Sequence, residues 1–189
     1  MDVTELLDLP DRDTWRSWLA TNHQTAHDVW LMLGSPSDEP RITYLDAVEE
    51  ALCFGWIDST AKRHAPGVSA QRFSPRRARS RWTELNKARA RRLIALGLMT
   101  DAGRTTLPDV AMRSSVSPDI EAAFRAAAAA WECWQRMPAL YRAVRLSYVE
   151  EMRRTPAEFE RRLANLVSKT AQNLMFGNWN DGGRLSEGD

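Results

Sequence analysis

The sequence has few cysteines and no long hydrophobic run. Its two cysteines, Cys53 and Cys133, both lie in apolar stretches with helical spacing, which predicts buried free thiols rather than a disulfide. No apolar run approaches the roughly 20 residues of a membrane-spanning helix. The first eighteen residues are acidic and lack the apolar stretch of a secretion signal. These absences predict a soluble protein of the cytoplasm.

The sequence also lacks the usual motifs of cofactor binding and covalent catalysis. It has no Gly-rich phosphate loop, no Cys-x-x-Cys pair and no dinucleotide fingerprint. Asp58, Ser59 and His64 supply the residue types of a hydrolytic triad, but three members within seven residues do not easily converge. His23 and His27 have no third metal ligand near them in the sequence. We therefore predict no cofactor and no bound metal.

Charge is divided unevenly along the chain, although the formal net charge is only +1. Residues 1–58 contain twelve acidic and three basic side chains, whereas residues 62–92 contain eleven basic and one acidic. Such blocks either pair with each other or leave a surface that faces anions. The basic stretch Arg72–Arg92 includes Phe73 and Trp82 as stacking faces, so nucleic acid is one candidate partner. Because the net charge is near zero, pairing within the chain is favoured.

Short apolar or alternating runs between turn residues predict three strands in the first half of the chain. The predicted strands are Val29–Leu33, Trp56–Thr60 and Ala70–Ser74. The last two are expected to pair antiparallel, because about ten residues join them. Polar caps predict three helices in the same half, and Gly55 is placed to end the second. These helices begin at Asp11 or Asp13, at Thr43, and at Ser80 or Thr83.

Helical patterns dominate the second half of the chain. Ser117 and the proline after it predict a helix start, and the alanine run Ala126–Ala130 continues that helix until Met137-Pro138 breaks it. A second helix follows, and Thr155 with Glu158 has the spacing of a capping box for the last one. We predict an α+β fold: a small antiparallel sheet packed on helices, with a mainly helical C-terminal region. The predicted divisions are residues 1–112, 117–177 and a flexible tail at 178–189.

Most of the unusual chemistry lies between Ala51 and Asn86. Asp58 follows Trp56 by two residues on a predicted strand, so both share one face, and Asp58 is interpreted as the buried partner of Arg72 or Arg76. The arginines that follow gather at a helix start, where free backbone N–H groups also favour anions. The predicted binding surface consists of Trp56, Asp58, Arg72, Arg76, Arg77, Ser80, Trp82 and Asn86.

Three segments between Ala51 and Gly103 have a family resemblance. ALCFGWIDS, RFSPRRARSRWTELNKAR and LIALGLMTDAG resemble the YdeI/OmpD-associated family, also called bacteriocin-protection proteins. The resemblance is good over Trp15–Gly103 and looser over the C-terminal helices. The loop at Lys62 departs from it, because an acidic residue is usual there, and so does the run that begins at Met152. The residues that carry over are Trp56, Asp58, Phe73, Pro75, Arg76, Ser80, Trp82 and Asn86.

The resemblance implies a link to tolerance of bacteriocins and cationic antimicrobial peptides, and to stress response, without implying a defined reaction. Our first hypothesis is a non-enzymatic protection protein that binds an unidentified protein partner or a small anionic ligand through the predicted surface. The second is an enzyme acting on a small anionic substrate, with Asp58 as acid or base and Arg76 as anion clamp. The third is a nucleic-acid-binding module that uses Arg72–Arg92. We favour the first.

Overall fold

A computed structural model describes residues 6–34, 41–65, 68–78, 80–110 and 115–185. Within these ranges the chain forms one four-stranded sheet and eight α-helices, which confirms an α+β fold with a helical C-terminal region. The chain divides into two compact units: unit 1 is residues 1–81 and 92–108, and unit 2 is residues 82–91 and 109–189. No helix in the described ranges has the length and apolar character needed to cross a bilayer.

The sheet of unit 1 has the strand order β1-β2-β4-β3. Its strands are β1 (Leu6–Leu7), β2 (Val29–Leu33), β3 (Trp56–Ala65) and β4 (Val68–Pro75). All three predicted strands are present, and the predicted antiparallel pairing of the last two is confirmed. The sheet is mixed rather than purely antiparallel, because the short β1 runs parallel to β2. Two leucines are too short a run to show a strand periodicity, so β1 is absent from the sequence prediction.

The helices of unit 1 begin where polar caps were predicted. Helix α1 (Arg12–Asn22) is capped by Asp11, whose carboxylate accepts the backbone N–H of Thr14 at 2.8 Å. Helix α2 (Tyr44–Cys53) is capped by the Thr43 hydroxyl, and Gly55 follows it with a φ of +75°. From α1, the buried Trp15 ring packs against Phe73 of β4, with ring centroids 5.5 Å apart. The core of unit 1 therefore lies between these helices and the sheet.

Helix α3 (Glu84–Ala95) is divided between the two units, and the four-residue helix α4 (Asp101–Arg104) follows in unit 1. Gly103 in α4 makes a close approach to α2. A Cβ atom there would lie 2.3 Å from the carbonyl oxygen of Cys53, so no larger residue fits without a backbone shift. Thr100, the cap of α4, donates its hydroxyl to the same carbonyl at 2.5 Å.

Unit 2 contains the remaining four helices. They are α5 (Pro118–Arg125), α6 (Ala128–Arg136), α7 (Ala139–Glu150) and α8 (Pro156–Ala171). The prediction of one continuous helix through the alanine run was wrong, because Ala127 leaves the helical region with φ −118° and ψ 94°. The break lets the rings of Phe124 and Trp134 stack at 4.3 Å in the core. Packing of these aromatic rings outweighs the helix propensity of alanine.

Two further features of unit 2 differ from local sequence rules. Thr155 makes no side-chain cap, so the predicted capping box does not form, and Glu158 bonds instead to arginines of its own helix. Residues 178–185, at the start of the segment for which the sequence predicts a flexible tail, include a turn of 3-10 helix at Asp181–Gly183. Asp181 and Leu185 are both buried in this segment.

Candidate functional site

The residues of the predicted binding surface differ in burial and in their partners. Asp58 is half-buried on β3 and accepts a hydrogen bond from the Tyr44 hydroxyl at 2.9 Å. Arg76 is 7% exposed, and burial lowers its pKa to about 10, while the negative charge of Asp58 acts in the opposite direction. Arg76, one of the two predicted partners of Asp58, is thus close enough to be influenced by its charge. Arg72 forms an ion pair with Asp28.

Other members of the predicted surface have different surroundings. Trp56 is 1% exposed, and its indole N–H donates to the carbonyl of His23 at 3.2 Å, so it supports the fold from inside. Arg77 is exposed and Ser80 is half-buried, whereas Arg79 lies outside the described residues. Trp82 and Asn86 belong to unit 2. The exposed or half-buried members in unit 1 are Asp58, Arg72, Arg77 and Ser80.

Much of the basic stretch is paired with carboxylates of the same chain. Besides Arg72, three of its cations form ion pairs within their own units, and a fourth donates to a backbone carbonyl. The ion pairs join Lys87 to Glu84 at 2.7 Å, Arg89 to Asp181 at 2.6 Å and Arg92 to Glu49 at 2.9 Å, and Arg91 donates to the carbonyl of Val110 at 3.0 Å. These pairs agree with the preference for pairing within the chain over a free basic face.

A buried cluster of charges holds α1, α2 and the end of α3 together in unit 1. Glu49 and Glu50 are 0% and 1% exposed. Arg12 donates to Glu49 at 2.8 Å and to Glu50 at 2.5 Å. Arg16 donates to Glu50 at 2.6 Å, and Arg92 donates to Glu49 at 2.9 Å. Because each buried carboxylate is held by two arginines, the cluster has a structural role.

Cys53 lies next to this cluster. Burial, reinforced by the charge of Glu50, raises the pKa of the Cys53 thiol to about 11. A thiol with so high a pKa is almost entirely protonated at neutral pH, so it is a poor nucleophile. Within the described ranges, no group of three or more His, Cys, Asp or Glu side chains is arranged to hold a metal ion.

A concave site of about 340 Å³ lies in unit 2, and we call it the Arg145 pocket. One wall is α7 and another is α8, each of which presents side chains at helical spacing, and the segment after α8 closes a third side. The lining residues are Arg145, Tyr148, Val149, Arg161, Arg162, Asn165, Leu166, Phe176 and Gly177.

Arg145 is the central charge of this pocket, and it is 8% exposed. One guanidinium nitrogen, Nη2, donates to the carbonyl of Asn178 at 2.8 Å, while Nε is buried without a hydrogen-bond partner. Its guanidinium carbon lies 5.3 Å from the ring centroid of Phe176 and 5.7 Å from that of Tyr148. Among the described residues, no carboxylate forms an ion pair with it. Burial lowers the pKa of Arg145, an effect that the nearby Tyr141 and Tyr148 only partly oppose.

The two other arginines of the pocket are already neutralised. Glu158 accepts from Arg161 and from Arg162, each at 2.7 Å, and these hydrogen bonds lower the pKa of Glu158 to about 2. Arg162 also lies 3.7 Å from Glu151 and donates to the carbonyl of Tyr148 at 2.9 Å. The pocket therefore contains one cation without a counter-charge, Arg145, beside two that have them.

Gly177 makes room for the Arg145 guanidinium. Its φ is +67°, a conformation that residues with a side chain rarely adopt. A Cβ atom at this position would lie 2.6 Å from Nη1 of Arg145. Only glycine fits here without strain or displacement of the guanidinium. The backbone after α8 thus helps to fix the position of the pocket's central charge.

Sequence reasoning missed the Arg145 pocket, although α7 contains a signal for it. Arg145 lies four residues after Tyr141 and immediately between Val144 and Leu146, all of them buried. A charged side chain on the apolar face of a helix needs a partner or a ligand. That argument could have identified Arg145 as a candidate binding residue. Sequence spacing could not show that residues of α8 and of the following turn complete the pocket around it.

Comparison with known families gives two matches. Residues 7–106 match a family described as Domain of unknown function (DUF8412), and residues 114–173 match one described as Bacteriocin-protection, YdeI or OmpD-Associated. The predicted resemblance is confirmed, but the match lies in the C-terminal helices and not over Trp15–Gly103. It suggests a bacteriocin-protection-related function, and it includes α7 and α8. No curated protein and no solved structure matches the chain.

Proposed function

The chain belongs to the DUF8412 family and carries a bacteriocin-protection, YdeI/OmpD-associated segment, and from this premise we propose that it protects against bacteriocins by binding an anionic ligand in the Arg145 pocket. In this proposal the protein is a binding protein and not an enzyme. The observation that carries the proposal is Arg145, which lines the pocket, is 8% exposed, has a buried Nε without a hydrogen-bond partner and forms no ion pair with a described carboxylate.

The energetics of a buried cation support an anion as the ligand. Removing a guanidinium from water costs several kcal/mol unless an opposite charge or hydrogen bonds compensate. Asn178 and the aromatic rings of Tyr148 and Phe176 supply part of this compensation. An anion in the pocket would supply the rest through its charge and a charge-assisted hydrogen bond from the guanidinium. Uncompensated charge is retained at binding sites because it contributes to function rather than to stability.

The composition of the pocket favours binding over catalysis. Its lining contains no carboxylate, imidazole or thiol, which are the groups that most often transfer protons or attack a substrate. The alternative enzyme, with Asp58 as acid or base, needs Arg76 as an anion clamp. Neither Asp58 nor Arg76 lines the Arg145 pocket.

A nucleic-acid-binding role is also less well supported. Such binding depends on a row of cations that are free to meet phosphates. In the stretch that was the candidate, Arg72, Lys87, Arg89 and Arg92 all form ion pairs with carboxylates of the chain. A polyanion would have to displace these carboxylates before it gained any charge contact.

The proposal is tested by protection of a bacteriocin-sensitive bacterium that expresses the protein. The wild-type chain is expected to raise the bacteriocin concentration that halves survival, and Arg145→Met is expected to abolish the effect. Arg154→Met is the matched control, because Arg154 is exposed, lies outside the pocket and carries the same charge. Thermal unfolding of each variant checks that the fold is retained. Full protection by Arg145→Met, or none by the wild-type chain, would contradict the proposal.

A further inference from the structure

The charges and walls of the Arg145 pocket restrict the chemistry of its ligand. Resting on the proposed anion-binding function, we infer that the ligand is a small aromatic monoanion: one carboxylate-like group attached to a planar apolar body. The anionic group pairs with Arg145, and the planar body lies against Tyr148 and Phe176.

The charge of the ligand follows from the charges around the pocket. Three arginines line it, and Glu158 neutralises Arg161 and Arg162 together with Glu151, which lies 3.7 Å from Arg162. This leaves one positive charge, on Arg145, for the ligand to balance. A monoanion balances it, whereas a dianionic phosphate monoester brings one negative charge too many into a partly desolvated site.

The body of the ligand follows from the pocket walls. Val149 and Leu166 are buried apolar side chains, and Tyr148 and Phe176 add aromatic faces. Tyr148 is 43% exposed, which is unusual for a large aromatic residue. The Arg162 guanidinium carbon lies 3.8 Å from the Tyr148 ring centroid and covers one face, so the ligand would stack on the part of the ring that Arg162 leaves open. Inorganic anions would leave these apolar walls uncovered. A planar aromatic group would cover them and gain hydrophobic and stacking energy.

Size and orientation agree with this chemistry. The volume of about 340 Å³ is near the lower end of the range of about 300–1,000 Å³ for small-molecule sites. A peptide or polymer would not fit inside it. Asn165 is exposed in the lining, and its amide can donate to or accept from a polar substituent of the ligand. The Arg145 guanidinium determines which side of the pocket the anionic group occupies.

Isothermal titration calorimetry of the full chain with four probes tests the inference. The probes are 2-naphthoate, 2-naphthyl phosphate, 2-naphthalenemethanol and inorganic phosphate, which separate charge from aromatic body. We expect 2-naphthoate to bind at least about tenfold more tightly than the other three, because it alone combines one charge with an apolar body. Arg145→Met is expected to lower the affinity for 2-naphthoate by about tenfold or more, whereas Arg154→Met should bind it as tightly as the wild-type chain does.

A second variant is expected to change which anion the pocket prefers without abolishing anion binding. Glu158→Gln leaves Arg161 and Arg162 with less counter-charge. We therefore expect this variant to increase the affinity for 2-naphthyl phosphate relative to the affinity for 2-naphthoate. Inorganic phosphate or 2-naphthyl phosphate could instead bind more tightly than 2-naphthoate, with an affinity that still depends on Arg145. That result would overturn the aromatic monoanion but would leave the anion-binding function supported. Three results would overturn both the aromatic monoanion and the anion-binding function. They are equal affinities for 2-naphthalenemethanol and 2-naphthoate, an unchanged affinity for 2-naphthoate in Arg145→Met, and failure of every anion to bind.

Discussion

The guanidinium of Arg89 holds the carboxylate of Asp181 in a buried pair with two hydrogen bonds, although 92 residues separate them in the chain. The two bonds are 2.6 and 2.8 Å long, and Asn178 donates a third to the same carboxylate at 2.8 Å. Two parallel bonds of this kind are among the stronger polar interactions in proteins. They tie α3 to the segment after α8 within unit 2.

Asp181→Asn is expected to lower the free energy of unfolding by about 3–5 kcal/mol, because Arg89 would remain buried without its counter-charge. Urea denaturation followed by circular dichroism measures the change. Glu132→Gln is the matched control, since Glu132 is an exposed acid of the same unit. We expect it to change stability by less than about 0.5 kcal/mol. An equally small loss in Asp181→Asn would show that the pair contributes little.

The same pair predicts a loss of stability in acid. Burial alone would raise the pKa of Asp181, but the hydrogen bonds and charge of Arg89, with help from Asn178 and Arg184, together outweigh burial, so the folded pKa lies below the ordinary value. A lowered folded pKa adds stability that is present above the unfolded pKa of about 3.9 and is lost as the pH falls through the folded value. The stability gap between the wild-type chain and Asp181→Asn should therefore be constant from pH 7 to 5 and shrink below about pH 4. A gap that stayed constant down to pH 2.5 would contradict this assignment.

Glu50→Gln is expected to destabilise unit 1 by about 3–5 kcal/mol, because Arg12 and Arg16 would lose the buried carboxylate that holds them. Arg16→Met in the same background should restore part of the loss. A double-mutant cycle from urea denaturation measures the coupling between Glu50 and Arg16, which we expect to exceed about 1 kcal/mol. Additive effects of the two substitutions would mean that the cluster does not act as a unit.

Gly177→Ala separates backbone strain from ligand binding. Its added Cβ would meet Nη1 of Arg145 at 2.6 Å, so we expect weaker binding of 2-naphthoate as well as a stability loss of about 1 kcal/mol. Gly182→Ala is the control, since Gly182 has a φ of +65° and no neighbouring atom within 4 Å of the new Cβ. It should lose similar stability and keep its affinity. Equal affinities in both variants would show that Gly177 does not position the guanidinium.

The sequence predicted the parts of the fold that depend on neighbouring residues. Alternation and turn residues identified β2, β3 and β4, and short polar side chains identified the caps at Asp11 and Thr43. These signals are local, because a strand or a helix start is determined by residues within one or two turns. The break at Ala127 was missed because it depends on how Phe124 and Trp134 meet in the core.

The candidate site could be predicted less well. Charge blocks indicated that acidic and basic residues would pair, but not that Glu49 would meet Arg12 and Arg92 from opposite directions in the sequence. The Arg145 pocket requires α7, α8 and the turn at Gly177 to come together, and only the three-dimensional packing of these elements defines it. The family resemblance pointed to motifs near Trp56, but the Trp56 ring is buried in the structure.

Unit 2 is assembled from two separate stretches of chain, residues 82–91 and 109–189. The bacteriocin-protection match begins at residue 114, after the first stretch has ended. A fragment cut there would lose Ala88 from the core that contains Leu140 and Val144, and it would leave Asp181 without Arg89. We therefore expect a fragment that begins at residue 114 to be less stable than a chain that also supplies residues 82–91, so the family boundary and the folding boundary of this unit do not coincide.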